Sequence, residues 1–204
     1  MLKRFPYSAL IFCLLTSTIA QSQNDIGSWL IYKNKLSLNE KTSINTQYQL
    51  RSFTLDFSED QTLITTGLSH ALLPNLSIAA GYRRLSTSTF LENGMYQKIA
   101  LSSSFGKLKL TNTFMLEERW IDEDFALRYR VGFSLRLPIA SQTAVIVSEE
   151  AFLQNTGTSF NQNRFTVKFV HTVSKKIQWT TGIMHWQFSN LKRWVLLATL
   201  SHTL

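Results

Sequence analysis

The side chains able to do chemistry in this chain are arginines and glutamates set at alternate positions. Leu127-Arg128-Tyr129-Arg130 places two guanidiniums on one face of an extended segment, and Leu116-Glu117-Glu118-Arg119 precedes it. Arg51, Glu150 and Arg164 complete the set. Guanidinium forks match carboxylates, so these groups can neutralise one another, or they can bind and select anions. If residues 120–124 join a hairpin, Glu117 meets Arg128; if 138–141 join the next, Arg130 meets Glu150. Across 154–163, Arg164 approaches the same end, since facing cross-strand residues lie within side-chain reach. Arg51, Glu117, Arg119, Arg128, Arg130, Glu150 and Arg164 would then form a band in the outer half of an enclosed lumen. Glu149 competes with Glu150 for the inward place, because a one-residue slip exchanges the faces.

Catalytic chemistry finds little support. The histidines are His70, His171, His185 and His202. Ser69-His70 and Ser201-His202 are neighbours on one strand and point to opposite faces, so neither is a dyad. His185 with Glu150 has no motif behind it. Metal-ligand spacing, phosphate-binding glycine loops and nucleotide motifs are absent, and no cofactor is expected.

The elements that must hold this band are strands. Phe125, Leu127, Tyr129, Val131, Phe133, Leu135 and Leu137 are all apolar, and Arg128, Arg130 and Arg136 lie between them. A period of two over this length is a long strand with one greasy and one polar face. It suits a strand tilted across a bilayer, with the arginines turned to a wet interior. Eleven extended segments are read, at 26–38, 42–55, 62–73, 76–86, 95–105, 108–119, 125–137, 142–153, 164–173, 177–188 and 193–203. Pro74 and Pro138 are expected between segments, and short connections alternate with longer polar ones, as in outer-membrane barrels. Bacterial single-chain barrels use even strand numbers, so either 26–38 enters the lumen and ten strands form the wall, or two strands are merged and there are twelve. Tyr48, Tyr82, Trp120, Trp179 and Trp194 fall near strand ends or on outer faces, where they can form interfacial girdles.

The N-terminus is read as a secretory signal peptide over residues 1–20. Lys3 and Arg4 precede the apolar run Ala9–Leu15, and small residues allow cleavage after Ala20 or Ser22. The lone cysteine, Cys13, leaves with it, so the mature chain has no disulfide. Loss of Lys3 and Arg4 takes the net charge from +8 to +6. That surplus suits outer-membrane lipids and lipopolysaccharide phosphates. Export, together with basic runs of no more than two residues, excludes nucleic acid.

Trp29, Gln49-Leu50-Arg51, Leu116-Glu117-Glu118-Arg119, Leu127-Arg128-Tyr129-Arg130, Glu150-Ala151-Phe152 and Phe160-Asn161-Gln162-Asn163-Arg164 come in an order that resembles domain-of-unknown-function family number 2490. The resemblance covers essentially the whole mature chain. It implies a bacterial outer-membrane barrel and brings no known activity.

The sequence therefore describes an all-β chain. After its leader, residues 21–204 form one antiparallel up-and-down transmembrane barrel of ten to twelve strands in the outer membrane of a Gram-negative bacterium. The barrel-assembly machinery is an expected partner. The function expected is a structural barrel or a small-solute or anion pore with an Arg/Glu-lined lumen. In a barrel this narrow, side chains can fill much of the interior, which favours the structural role. A lipid-modifying enzyme and a soluble secreted binding protein are the alternatives.

Overall fold

A computed structural model describes residues 26–56, 58–155, 160–188 and 191–204, with Phe160 and Asn161 described by backbone alone. The expected leader, residues 1–20, lies outside the described residues. The strands are β1 (Ile26–Ser37), β2 (Thr42–Ser52), β3 (Gln61–Leu73), β4 (Leu76–Thr87), β5 (Leu91–Phe105), β6 (Leu108–Ile121), β7 (Asp124–Ala140), β8 (Thr143–Gln154), β9 (Phe160–Thr172), β10 (Ile177–Phe188) and β11 (Leu191–Thr203). They pair in chain order and close into a barrel through β1 and β11.

Two expectations are corrected at that closure. Eleven strands form the wall, and β1 is one of them rather than a segment inside the lumen. The barrel is not antiparallel throughout, because β1 pairs with β11 in parallel, from Ile26 opposite Trp194 to Lys35 opposite Thr203. The reason is geometric. A meander of an odd number of strands brings its first and last strands to the seam running the same way. Unpaired edges expose a row of backbone donors and acceptors, and a parallel ladder satisfies them.

Several strands run further than their sequence pattern suggests. β5 starts at Leu91 and β9 at Phe160, both inside segments read as loops. β7 continues past Pro138, which is in the strand and not between strands. The ladder to β8 shifts register between Pro138 and Ala140, an irregularity of the kind that accommodates a residue without an N–H.

Alternation sorts the faces as expected. Phe125, Tyr129, Val131, Phe133 and Leu137 of β7 are exposed on the outside, and Arg128 on the same strand is buried inside. Tyr48, Tyr82, Trp120, Trp179 and Trp194 are all exposed. Trp120 and Trp194 lie toward the end bearing loop 53–60 (the loop end), and Trp179 lies toward the opposite, turn end. Glu150 is the inward member of its pair. Glu149 faces out between Phe133 and Phe165, where the Asn163 amide donates to it at 2.9 Å.

Inside, one close approach shapes the wall. Gly67, Gly81 and Tyr96 are consecutive cross-strand partners on β3, β4 and β5. The Tyr96 ring is buried against the two glycines, and a Cβ on Gly81 would sit 2.8 Å from Tyr96 Cε1 and 2.6 Å from Gly67 Cα. Glycine is required at this place because the Thr66 carbonyl and Gly67 Cα of β3, together with the ring, occupy the volume a side chain would take.

A charged cavity inside the barrel

The band of charges is built by register. Glu117 on β6 stands opposite Arg128 on β7, and Glu150 on β8 stands opposite Arg164 on β9. All point inward because each lies an even number of residues from its inward neighbours. Glu117 is nearly inaccessible to solvent and is held by three arginines. Arg128 Nε donates to its Oε2 at 2.6 Å, Arg83 Nη1 to Oε1 at 2.8 Å and Arg130 Nη1 to Oε1 at 3.2 Å. Arg130 Nη2 also donates to Glu150 Oε1 at 2.7 Å, while Arg164 is more distant from the same carboxylate at 3.9 Å. Arg119 turns away from Glu117 and grips Glu92 with both Nε (3.0 Å) and Nη2 (2.5 Å). Arg83 links the two groups, since its Nη1 is also 3.2 Å from Glu92 Oε1. Ion pairs this buried persist only when each charge has its partners.

Of the residues singled out in the sequence, Glu117, Arg119, Arg128, Arg130, Glu150 and Arg164 join this ion-pair system, two of them through partners not anticipated. Those partners are Arg83 and Glu92. Arg51 faces the same cavity but contacts no carboxylate among the described residues. Its Nε donates to Gln49 Oε1 at 3.0 Å and its guanidinium lies 4.1 Å from the centre of the Trp29 ring.

Aromatic rings complete the interior. Arg164 lies over three of them, Phe152 at 4.6 Å, Trp29 at 5.2 Å and Trp186 at 5.3 Å. Arg130 stacks on the other part of the set, 4.7 Å from Phe152. Arg193 sits 4.5 Å from the Phe53 ring. Beside them Trp29, Met184, Val195 and Leu197 form an apolar cluster on the inner face of the closing seam, with Ile31 and Trp186 against it. The interior thus has two unlike walls. Ion pairs dominate from β4 to β8, and stacked arginines with apolar residues dominate around β1, β10 and β11.

These side chains do not fill the barrel. A cavity of about 880 Å³ runs from Phe90 and Leu191 near the loop end to Lys35, Ser77 and Thr203 near the turn end. Seven arginines and three lysines line it, against three glutamates. A second space, bounded by Lys35, Ser69 and Ser77 of the same lining and by turn residues 39–41, continues it toward the turn end. Lys33 lies within electrostatic reach of Lys98 and Lys168 in that lower half. Among the described residues, Lys33, Lys35, Lys98, Arg51 and Arg193 contact no carboxylate, so half of the ten lining cations are uncompensated by direct pairing.

No histidine joins the ion-pair system among the described residues, although His202 lines the turn end of the cavity. His185 stacks on Trp194 at 4.9 Å on the outer face, and so does not meet the inward Glu150. His70 and His171 bond to Thr42 and Thr143 at 2.9 and 3.1 Å, as ordinary cross-strand neighbours. Among the described residues no group of three or more His, Cys, Asp or Glu is placed to hold a metal ion.

Comparison with known proteins is consistent with this architecture. A solved structure described as "KdgM porin" superposes with a TM-score of 0.51 over 81% of this chain and 85% of that one, at 11% identity. At that identity the likeness concerns the fold. No curated protein matches the sequence. Residues 26–196 match the family described as "Protein of unknown function (DUF2490)", and the chain belongs to that family.

Proposed function

We propose that this protein is an outer-membrane barrel that passes small anionic solutes through its lumen. The carrying observation is the cavity that follows the barrel axis, with ten cationic side chains against three carboxylates. An enclosed passage lined by one sign of charge concentrates the opposite ion and repels its own sign. The apolar outer face supports membrane placement, since Phe114, Phe133, Phe169, Leu68 and Ile99 are exposed on strands long enough to cross a bilayer when tilted. The superposed porin supports the same reading at the level of fold. Export by the N-terminal leader, insertion by the barrel-assembly machinery and contact with lipopolysaccharide belong to this proposal.

The second reading, a barrel whose lumen charges serve only stability, is favoured by the sharing of Glu117 among three arginines. Both readings are compatible in one molecule if the ion-paired wall braces the barrel while the unpaired cations face the solute. Liposome swelling separates them. Vesicles carrying the refolded full chain are expected to admit small organic anions faster than neutral solutes of equal size. Swelling no faster than in protein-free vesicles would leave only the bracing role. Membrane fractionation with unheated and heated detergent gels tests location, and recovery in the soluble fraction would remove the membrane reading.

A further inference from the structure

We propose that the seam side of the lumen carries a discrete oxyanion-binding subsite, formed by the guanidiniums of Arg51, Arg164 and Arg193 and the indole N–H of Trp29. The proposal rests on the reading of the lumen as a solute path, and adds to it a specific place where the solute is held. Four observations converge there. Arg51 and Arg193 contact no carboxylate among the described residues, and Arg164 reaches one only at 3.9 Å. Each of the three lies within cation–π distance of an aromatic ring, Arg51 of Trp29, Arg193 of Phe53 and Arg164 of Trp29, Phe152 and Trp186. The rings themselves are contiguous, with Trp186 5.5 Å from Trp29 and 6.5 Å from Phe53. Finally, Trp29 Nε1, Arg164 Nε and Arg193 Nε, like Arg130 Nε on the ion-paired wall, are buried donors without a hydrogen-bond acceptor among the described residues.

Buried donors without acceptors are rare because each costs free energy. Here three lie in one neighbourhood, and all of them would be satisfied by the same kind of atom. An oxyanion supplies several acceptor lone pairs and the negative charge that the guanidiniums lack. Packing against the rings restricts the guanidiniums in advance, so little side-chain entropy is lost when the ligand arrives. The opposite wall already carries its counter-charge, since Glu92, Glu117 and Glu150 pair with Arg83, Arg119, Arg128 and Arg130, and only Arg130 Nε there is left a buried donor without an acceptor among the described residues. The ligand is therefore a small solute bearing a carboxylate or a phosphate group.

The test uses the refolded full chain in detergent at constant ionic strength in chloride, titrated with inorganic phosphate and, separately, with acetate. Trp29 and Trp186 report by fluorescence. A saturable change with either probe is expected, and the tighter probe identifies the headgroup class. Arg51→Gln combined with Arg193→Gln should weaken that binding by about ten-fold or more, the scale of lost charge-assisted hydrogen bonds. Lys35→Gln, at the turn end of the same cavity, should leave it unchanged. Arg51→Lys keeps the charge but not the planar fork, and should also weaken binding if the subsite is geometric; it stands in should the double variant not refold. No saturable response to either probe overturns the proposal. So does an equal loss in Lys35→Gln, which would mean diffuse lumen charge rather than a site. Liposome swelling on the same preparation keeps the two readings apart. Anion-dependent swelling without saturable binding removes the subsite alone, and saturable binding without swelling removes the pore alone.

Discussion

Arg128 and Glu117 face each other across the β6–β7 ladder, and the arginine Nε lies 2.6 Å from the glutamate Oε2. That one contact is the innermost part of a larger arrangement, because Glu117 also receives Arg83 and Arg130. The carboxylate is thus the common counter-ion of three buried cations.

Removing it should be costly. Glu117→Gln leaves three guanidiniums around a neutral amide, and unfolding in denaturant or by heat-modifiability is expected to show a loss of about 3–5 kcal/mol. Arg130→Gln should cost less, since Glu117 keeps Arg83 and Arg128. An equal or greater loss from Arg130→Gln would mean that Glu117 is not the centre of the network.

The Gly81–Tyr96 contact is a second structural commitment. Gly81→Val should displace the Tyr96 ring and destabilise the barrel by about 1–3 kcal/mol. Combining it with Tyr96→Ala should recover only a minor part of that loss, because the Thr66 carbonyl and Gly67 Cα of β3 still crowd the new side chain. Full recovery in the double variant would contradict the close backbone approach of β3 and β4.

The loop between β2 and β3 has its own pH dependence. Asp56 accepts from the Thr54 hydroxyl, from the Ser58 N–H at 3.0 Å and from the Ser52 hydroxyl at 3.2 Å. Led by the Thr54 bond, these hydrogen bonds hold its carboxyl at about 2, below the ordinary 3.8. A depressed carboxyl contributes fully above its unfolded value and loses that contribution as pH falls through the folded one. The loop conformation should therefore persist at pH 5 and loosen toward pH 2, as read by NMR titration of the Asp56 carboxyl. Titration near 4, with no change on Thr54→Val, would contradict the hydrogen-bonded loop.

The lysines of the lower lumen should set ion preference with little effect on stability. Lys33 and Lys98 contact no carboxylate among the described residues, so Lys33→Glu with Lys98→Glu should leave the heat-modifiable fold in place. Liposomes carrying this variant should lose most of their preference for anionic solutes. An unchanged preference would place selectivity elsewhere.

Much of this was legible in the sequence because the period of two is long and clean where it matters. β7 alternates apolar and polar residues over its whole middle, so its faces, its hairpin partner and the Glu117–Arg128 pairing follow from register alone. Arg83 and Glu92 were hidden for local reasons. Arg83 adjoins Arg84 in a strand whose Ala79-Ala80-Gly81 centre gives no contrast between faces. Glu92 precedes Asn93-Gly94, a pair that reads as a turn, yet β5 runs straight through it. Carrying the inward parity of Tyr96 back through Gly94 would have reached Glu92. The choice between Glu149 and Glu150 depended on one residue of register. The closing seam was missed because pairing rules act between neighbours in sequence, and β1 and β11 are the two strands most distant in it.

The most direct test of the central claim is planar-bilayer recording of the refolded chain under a potassium chloride gradient. An anion path lined by unpaired cations predicts stepwise conductance with a reversal potential displaced toward the chloride equilibrium value. A silent bilayer with a properly folded protein, or a displacement toward potassium, would contradict it.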